Sequence, residues 1–93
     1  MRHVATQGPS AQNALVMQVS AEAALQELRL RYHAAYAAYQ SCVRVLTEAT
    51  MSGEIPSPTL LEQEAKALGA LTKTRASLLA AMAASAAART GAP

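Results

Sequence analysis

The chain is poor in aromatic residues, in charge and in cysteine. Its 93 residues include no Phe, no Trp and no Asp, and only 15% of them are charged. A disulfide-stapled domain is excluded within the chain, because Cys42 is its single cysteine. The shortage of aromatic and β-branched residues disfavours a β-sandwich. The net charge of +2 is too small to indicate a nucleic-acid-binding protein.

Long apolar runs are also missing. The N-terminal run 14–17 is shorter than the core of a secretory signal, which needs roughly 7–15 apolar residues. The Ala-rich tract 78–88 is interrupted by Ser85 and is shorter than the roughly 18 residues of a membrane-spanning helix. We therefore expect a cytoplasmic protein with no membrane span and a reduced Cys42. Secretion without a cleaved signal stays open.

Alanine is what the chain has in abundance, at 23 of its 93 residues. Ala, Leu, Glu, Gln and Arg dominate the sequence, and all five are strong helix formers. High hydrophobicity and low charge are the opposite of the composition of a disordered chain. The sequence therefore predicts one small all-α domain.

Glycine and proline divide the chain into two long helical stretches. Gly8-Pro9 and the 53–58 region interrupt the helical pattern, as does the 91–93 end. We predict a single helical-hairpin domain over 10–90. Within this domain we predict a helix 10–52, a turn 53–57 and a helix 58–89. A flexible tail 1–9 precedes the domain and a tail 91–93 follows it.

Capping residues support this turn. Gly53 suits the left-handed position that ends a helix. Ser57 suits the N-cap of the second helix, with Pro58 at its first position. Thr59 and Glu62 offer a competing capping box two residues later. The expected architecture is an antiparallel helical hairpin.

The first helix carries apolar residues at alternating steps of three and four, which is the heptad pattern of packed helices. This series is Leu25, Leu28, Tyr32, Ala35, Tyr39, Cys42, Leu46 and Ala49. In the second helix we predict that one apolar face is lined by Leu61, Ala65, Leu68, Leu71, Leu78, Leu79, Met82 and Ala86. Arg75 falls on that predicted face, and the hairpin register would bring Tyr36 beside it as a cation–π partner. A Glu of another chain, or an anion bound at Arg75, is the alternative.

Two features indicate that one hairpin is not the complete assembly. The segment 32–43 contains no Lys, Arg, Asp or Glu, although a solvated helix face normally carries charge. Residues 10–20 have no counterpart in the shorter second helix. We therefore expect a homodimer, most simply a four-helix bundle. The predicted interface residues are Leu25, Leu28, Tyr32, Ala35, Tyr36, Tyr39, Cys42, Leu46, Leu68, Leu71, Arg75, Leu78 and Met82.

Residues typical of catalytic or metal sites are few. His33 is nine residues from Cys42 and on the opposite side of the same helix, so it cannot activate that thiol within the helix. No spacing of His, Cys and Glu matches a zinc or di-iron site. We expect no enzyme activity, no metal and no cofactor. Cys42 is then a packed thiol, and the tyrosines pack at the core or interface.

The sequence thus predicts a small, self-associating helical hairpin that serves as an interaction or adaptor module. Hairpins of this length also occur among secretion-associated proteins, so a subunit or chaperone that docks a partner's helix is the first alternative. A small-ligand binder with its site in the bundle core, lined by Tyr36, Arg75 and His33, is the second.

Overall fold

The protein is a two-helix antiparallel hairpin. The computed structural model describes residues 8–90, which form α1, Gly8–Met51, and α2, Pro58–Thr90, packed against each other. No strand occurs among these residues. Gly8 and Pro9 belong to α1, and the rest of the predicted tails 1–9 and 91–93 lies outside the described residues. The all-helical hairpin predicted from the sequence is confirmed.

A glycine-based cap ends α1. Gly53 has a φ of 80°. Its amide donates to the carbonyl of Thr50 at 3.0 Å, and the amide of Glu54 donates to the carbonyl of Ala49 at 2.8 Å. These two bonds are those of a Schellman motif, which satisfies carbonyls that the last helical turn leaves unpaired. The chain therefore leaves α1 in a defined direction.

A serine cap starts α2. The Ser57 hydroxyl oxygen accepts a hydrogen bond from the amide of Leu60 at 3.2 Å. The Ser57 carbonyl accepts the first helical bond from Leu61 at 3.1 Å. Pro58 occupies the first helical position, where its missing N–H costs nothing. Ser57, and not the competing Thr59, is the N-cap.

The face of α1 that packs on α2 is the predicted heptad series. Leu25 and Leu46 are buried, and the other members of this series are all half-buried. No other position between 25 and 49 is buried to this degree except Val43, next to Cys42. We call this series together with its counterpart on α2 the inner seam.

The inner seam of α2 differs from the predicted apolar face. Leu71 and Leu78 are buried as expected. The remaining packed positions of α2 are the half-buried Leu60, Glu64, Ala67, Thr74, Ala81, Ser85 and Ala86. Six residues of the predicted face each come one residue after a packed position and are exposed: Leu61, Ala65, Leu68, Arg75, Leu79 and Met82. For these six residues the predicted packing against α1 is wrong by one position, whereas Ala86 is half-buried as predicted.

The two helices differ in length, so α1 has an overhang. From the shared turn, α1 runs for 44 residues and α2 for 33. The overhang is therefore about 11 residues, or ~16 Å at the helical rise. Its apolar side chains Leu15, Val16 and Met17 are exposed, as is Val19 just beyond it. These four apolar side chains are thus left largely open to solvent.

Two glycines should respond in opposite ways to alanine. Gly53→Ala places a side chain in the left-handed region and should lower the free energy of unfolding by about 1–2 kcal/mol. Gly69→Ala lies inside α2, where an added Cβ meets nothing within 4 Å, and should raise it by up to ~1 kcal/mol. Urea melts of both variants at equal concentration check this. Equal effects of the two substitutions would contradict the assigned turn.

A larger side chain should destabilise the hairpin at the inner seam but not at an exposed position of α1. Ala35 is half-buried between the helices, whereas Ala37 is exposed on the same helix. We expect Ala35→Leu to lower the free energy of unfolding by about 1–3 kcal/mol through overpacking. Ala37→Leu should change it by less than ~0.5 kcal/mol. Thermal melts compare the pair, and matching midpoints would argue against close packing at Ala35.

Candidate interaction surface

The residues predicted for an interface divide into a packed and an exposed group. Leu25, Leu28, Tyr32, Ala35, Tyr39, Cys42, Leu46, Leu71 and Leu78 lie on the inner seam. Tyr36, Leu68, Arg75 and Met82 are exposed to solvent. The first group packs between the two helices of the chain. The second group has no such packing.

The expected contact between Arg75 and Tyr36 is not formed. Arg75 makes no hydrogen bond, ion pair or ring contact with any residue that the structure describes. The Tyr36 hydroxyl oxygen accepts a hydrogen bond from the amide of Gln40 at 3.0 Å, one turn along α1. The physical reason is the one-residue shift on α2. Thr74 takes the seam position, and its hydroxyl donates to the carbonyl of Ala70 at 2.8 Å.

A second apolar series runs along α2 beside the inner seam. We call it the outer stripe; it consists of Leu61, Ala65, Leu68, Thr72, Arg75, Leu79, Met82 and Ala86. These residues follow the same alternation of four and three as the inner seam. The large members are exposed at 49% for Leu61, 46% for Leu68, 55% for Leu79 and 42% for Met82. The α2 helix therefore has two adjacent heptad series, and α1 packs against one of them.

The outer stripe lies on the same side of the hairpin as Tyr36. Glu22 of α1 and Arg89 of α2 line one cleft at the open end of the hairpin. Steps of seven residues along a packed helix keep to one side of it. From Glu22 they lead to Arg29, Tyr36 and Val43, and from Arg89 they lead back to Met82, Arg75, Leu68 and Leu61. One broad side of the hairpin thus carries both series.

The opposite side of α1 carries an exposed ion pair. Glu27 and Arg31 are joined at 2.7 Å. Such an i,i+4 pair contributes about 0.2–0.5 kcal/mol and is typical of a solvated face. Leu30 is the exposed leucine on that side of α1, next in sequence to Arg29 and Arg31.

Groups that could perform chemistry are dispersed. Cys42 is a free thiol on the inner seam, while His33 is exposed on α1. Among the described residues there is no group of three or more His, Cys, Asp or Glu side chains that could hold a metal ion. One cleft at the open end is lined mainly by small and apolar side chains, such as Ala21, Ala24 and Ala84. The predicted trio of Tyr36, Arg75 and His33 is exposed and encloses no core pocket.

Neither helix, over the part of the chain that is described, holds an apolar stretch sufficient to cross a bilayer. Comparison with known proteins provides no relative: no family model, no curated protein and no solved structure matches the chain. The surface of the hairpin is therefore the feature from which a function can be inferred.

Proposed function

We propose that this protein is a non-catalytic interaction module that associates with itself through its helices. The observation that carries the proposal is the outer stripe, a heptad series that α1 leaves exposed from Leu61 to Met82. Exposed apolar residues are common singly, but several large apolar side chains on one face are typical of an interaction site. The same alternation of four and three residues already packs the two helices of one chain together.

The charge-free segment 32–43 supports the same proposal. Its exposed residues include Tyr36 and three alanines, and Tyr is enriched at protein interfaces. A free Cys42 is in keeping with a reducing compartment, and we include a cytoplasmic location in the proposal. Docking of a helix from another protein is the competing role for the same surface.

The mass of the purified chain tests the proposed self-association. The single chain has a mass of 9.7 kDa. We expect light scattering at micromolar concentration to give about twice that mass, because two-fold dimers are by far the commonest symmetric assemblies. The measured mass should fall towards that of one chain on dilution. A chain that stays monomeric at all concentrations and still melts cooperatively would refute the proposal.

A further inference from the structure

The register of the hairpin is visible at its open end. Ala24 of α1 lines one small cleft together with Ala84 and Ser85 of α2. Counting from these residues along both helices sets the level of every residue of α1 against α2. The connection from Met51 to Pro58 fits the same register. The two helices can therefore be compared level by level.

The outer stripe and the exposed part of the charge-free segment share one level along the hairpin. The outer stripe runs from Leu61 to Ala86 and is centred at Lys73–Thr74. On α1, Tyr36 is the exposed aromatic residue of the charge-free segment 32–43. In the register of the hairpin Tyr36 lies within about one helical turn, ~5 Å, of the centre of the outer stripe. A single axis across the hairpin can therefore pass beside Tyr36 and through the middle of the outer stripe.

We propose that the partner on this side is a second copy of the chain, related by a two-fold axis that runs across the helices at the level of Tyr36 and Lys73. This inference rests on the proposed self-association and specifies its surface and orientation. Each α2 packs antiparallel on the α2 of the partner copy, and each α1 packs antiparallel on its counterpart. The result is an antiparallel four-helix bundle.

Antiparallel pairing about this midpoint brings apolar residues together along the outer stripe. Leu68 meets the partner copy's Leu79, and Leu61 meets its Ala86. Ala65 meets the partner copy's Met82. All of these residues alternate at the spacing that antiparallel packing requires. Because both ends of the outer stripe are apolar, each end meets an apolar residue of the partner copy in this register.

The overhang of α1 fits the same arrangement. The axis brings residues 15–19 to the level of the partner copy's turn. That turn exposes Met51 at 82% and Ile55 at 94%. The apolar side chains of the overhang and of the turn, which have no cover in the single chain, then cover one another. The extra length of α1 and the exposed turn thus have one common explanation.

The exposed area is sufficient for such an interface. The chain exposes 6953 Å². A compact monomer of 9.7 kDa exposes about 5100 Å². A stable interface removes roughly 800 Å² from each partner. The hairpin therefore has more area to bury than a dimer needs.

Arg75 is the one charged residue of the outer stripe, and it lies next to the proposed axis. Its guanidinium would stand within about 5 Å, along the helix, of the same group in the partner copy. Like charges in that position oppose association. The structure therefore assigns Arg75 the role of limiting the strength of self-association.

A charge on the outer stripe should separate the copies. Leu68→Glu and the matched control Leu30→Glu both alter an exposed leucine, so neither should unfold the hairpin. We expect Leu68→Glu to raise the dimer dissociation constant by roughly 100-fold or more, because each dimer carries the change twice. Leu30→Glu should leave it within about threefold. Sedimentation equilibrium measures both, with circular dichroism to confirm helicity.

Removal of the central charge should have the opposite effect. Arg75→Met keeps the bulk of the stem and removes the repulsion, so the dissociation constant should fall by about tenfold. An increase would mean that Arg75 pairs with a carboxylate of the other copy. That result would overturn the proposed axis.

The orientation is tested with two matched labels. Lys66 and Lys73 are both exposed and lie seven residues apart on one side of α2. In a Cys42→Ala background, a spin label is placed on Lys73→Cys or on Lys66→Cys. The proposed axis separates the two labels of a dimer by about 2 Å along the helix at position 73, and by about 22 Å at position 66. Pulsed electron paramagnetic resonance should therefore find a clearly longer distance at 66.

The outcomes separate this inference from the proposed function. A wild-type chain that stays monomeric refutes both. A dimer that persists in Leu68→Glu refutes the surface and leaves self-association standing. Equal label distances at positions 66 and 73 would indicate an axis along the helices and refute the orientation.

Discussion

Two packed helices share only one line of contact, and this constraint governs the rest of the structure. Leu25, Leu46, Leu71 and Leu78 are the buried core. Every other large apolar side chain on the two helices keeps part of its surface in water. Each helix can cover a stripe of its partner about one heptad face wide, and residues 8–90 contain no third layer. The apolar residues outside that stripe are therefore the feature that a function must explain.

The first helix and the turn were predictable because their signals are local. The heptad series from Leu25 to Leu46 is flanked mainly by polar residues and alanine, with Tyr36, Val43 and Val45 as the larger apolar exceptions, so its packed face follows from spacing. Gly53 and Ser57 act through their own backbone and side chain, within a few residues of where they stand. Such features need no knowledge of the partner helix.

The packed face of the second helix was not predictable in the same way. Its inner seam contains Ala67, Thr74 and Ala81, while the adjacent positions hold Leu68, Arg75 and Met82. The spacing of the two series is identical, and the larger side chains belong to the series that does not pack against α1. Small residues at the inner seam let the helices approach closely, which only the three-dimensional pairing reveals. The sequence pattern of the exposed series is therefore the one expected of a packed helix face, and sequence alone could not identify it as exposed.

The packing between the helices changes from the turn to the open end. Near the turn, hydrogen-bonded caps close both helices and Leu46 is buried. At the open end Leu25 is buried, but the side chains around it are Ala21, Ala24, Ala81 and Ala88, which bury little area per turn. Local opening costs least where the fewest apolar contacts are lost. We therefore expect the hairpin to open from its free ends beyond Leu25, with the slowest amide hydrogen exchange in the helical segments that hold the buried leucines.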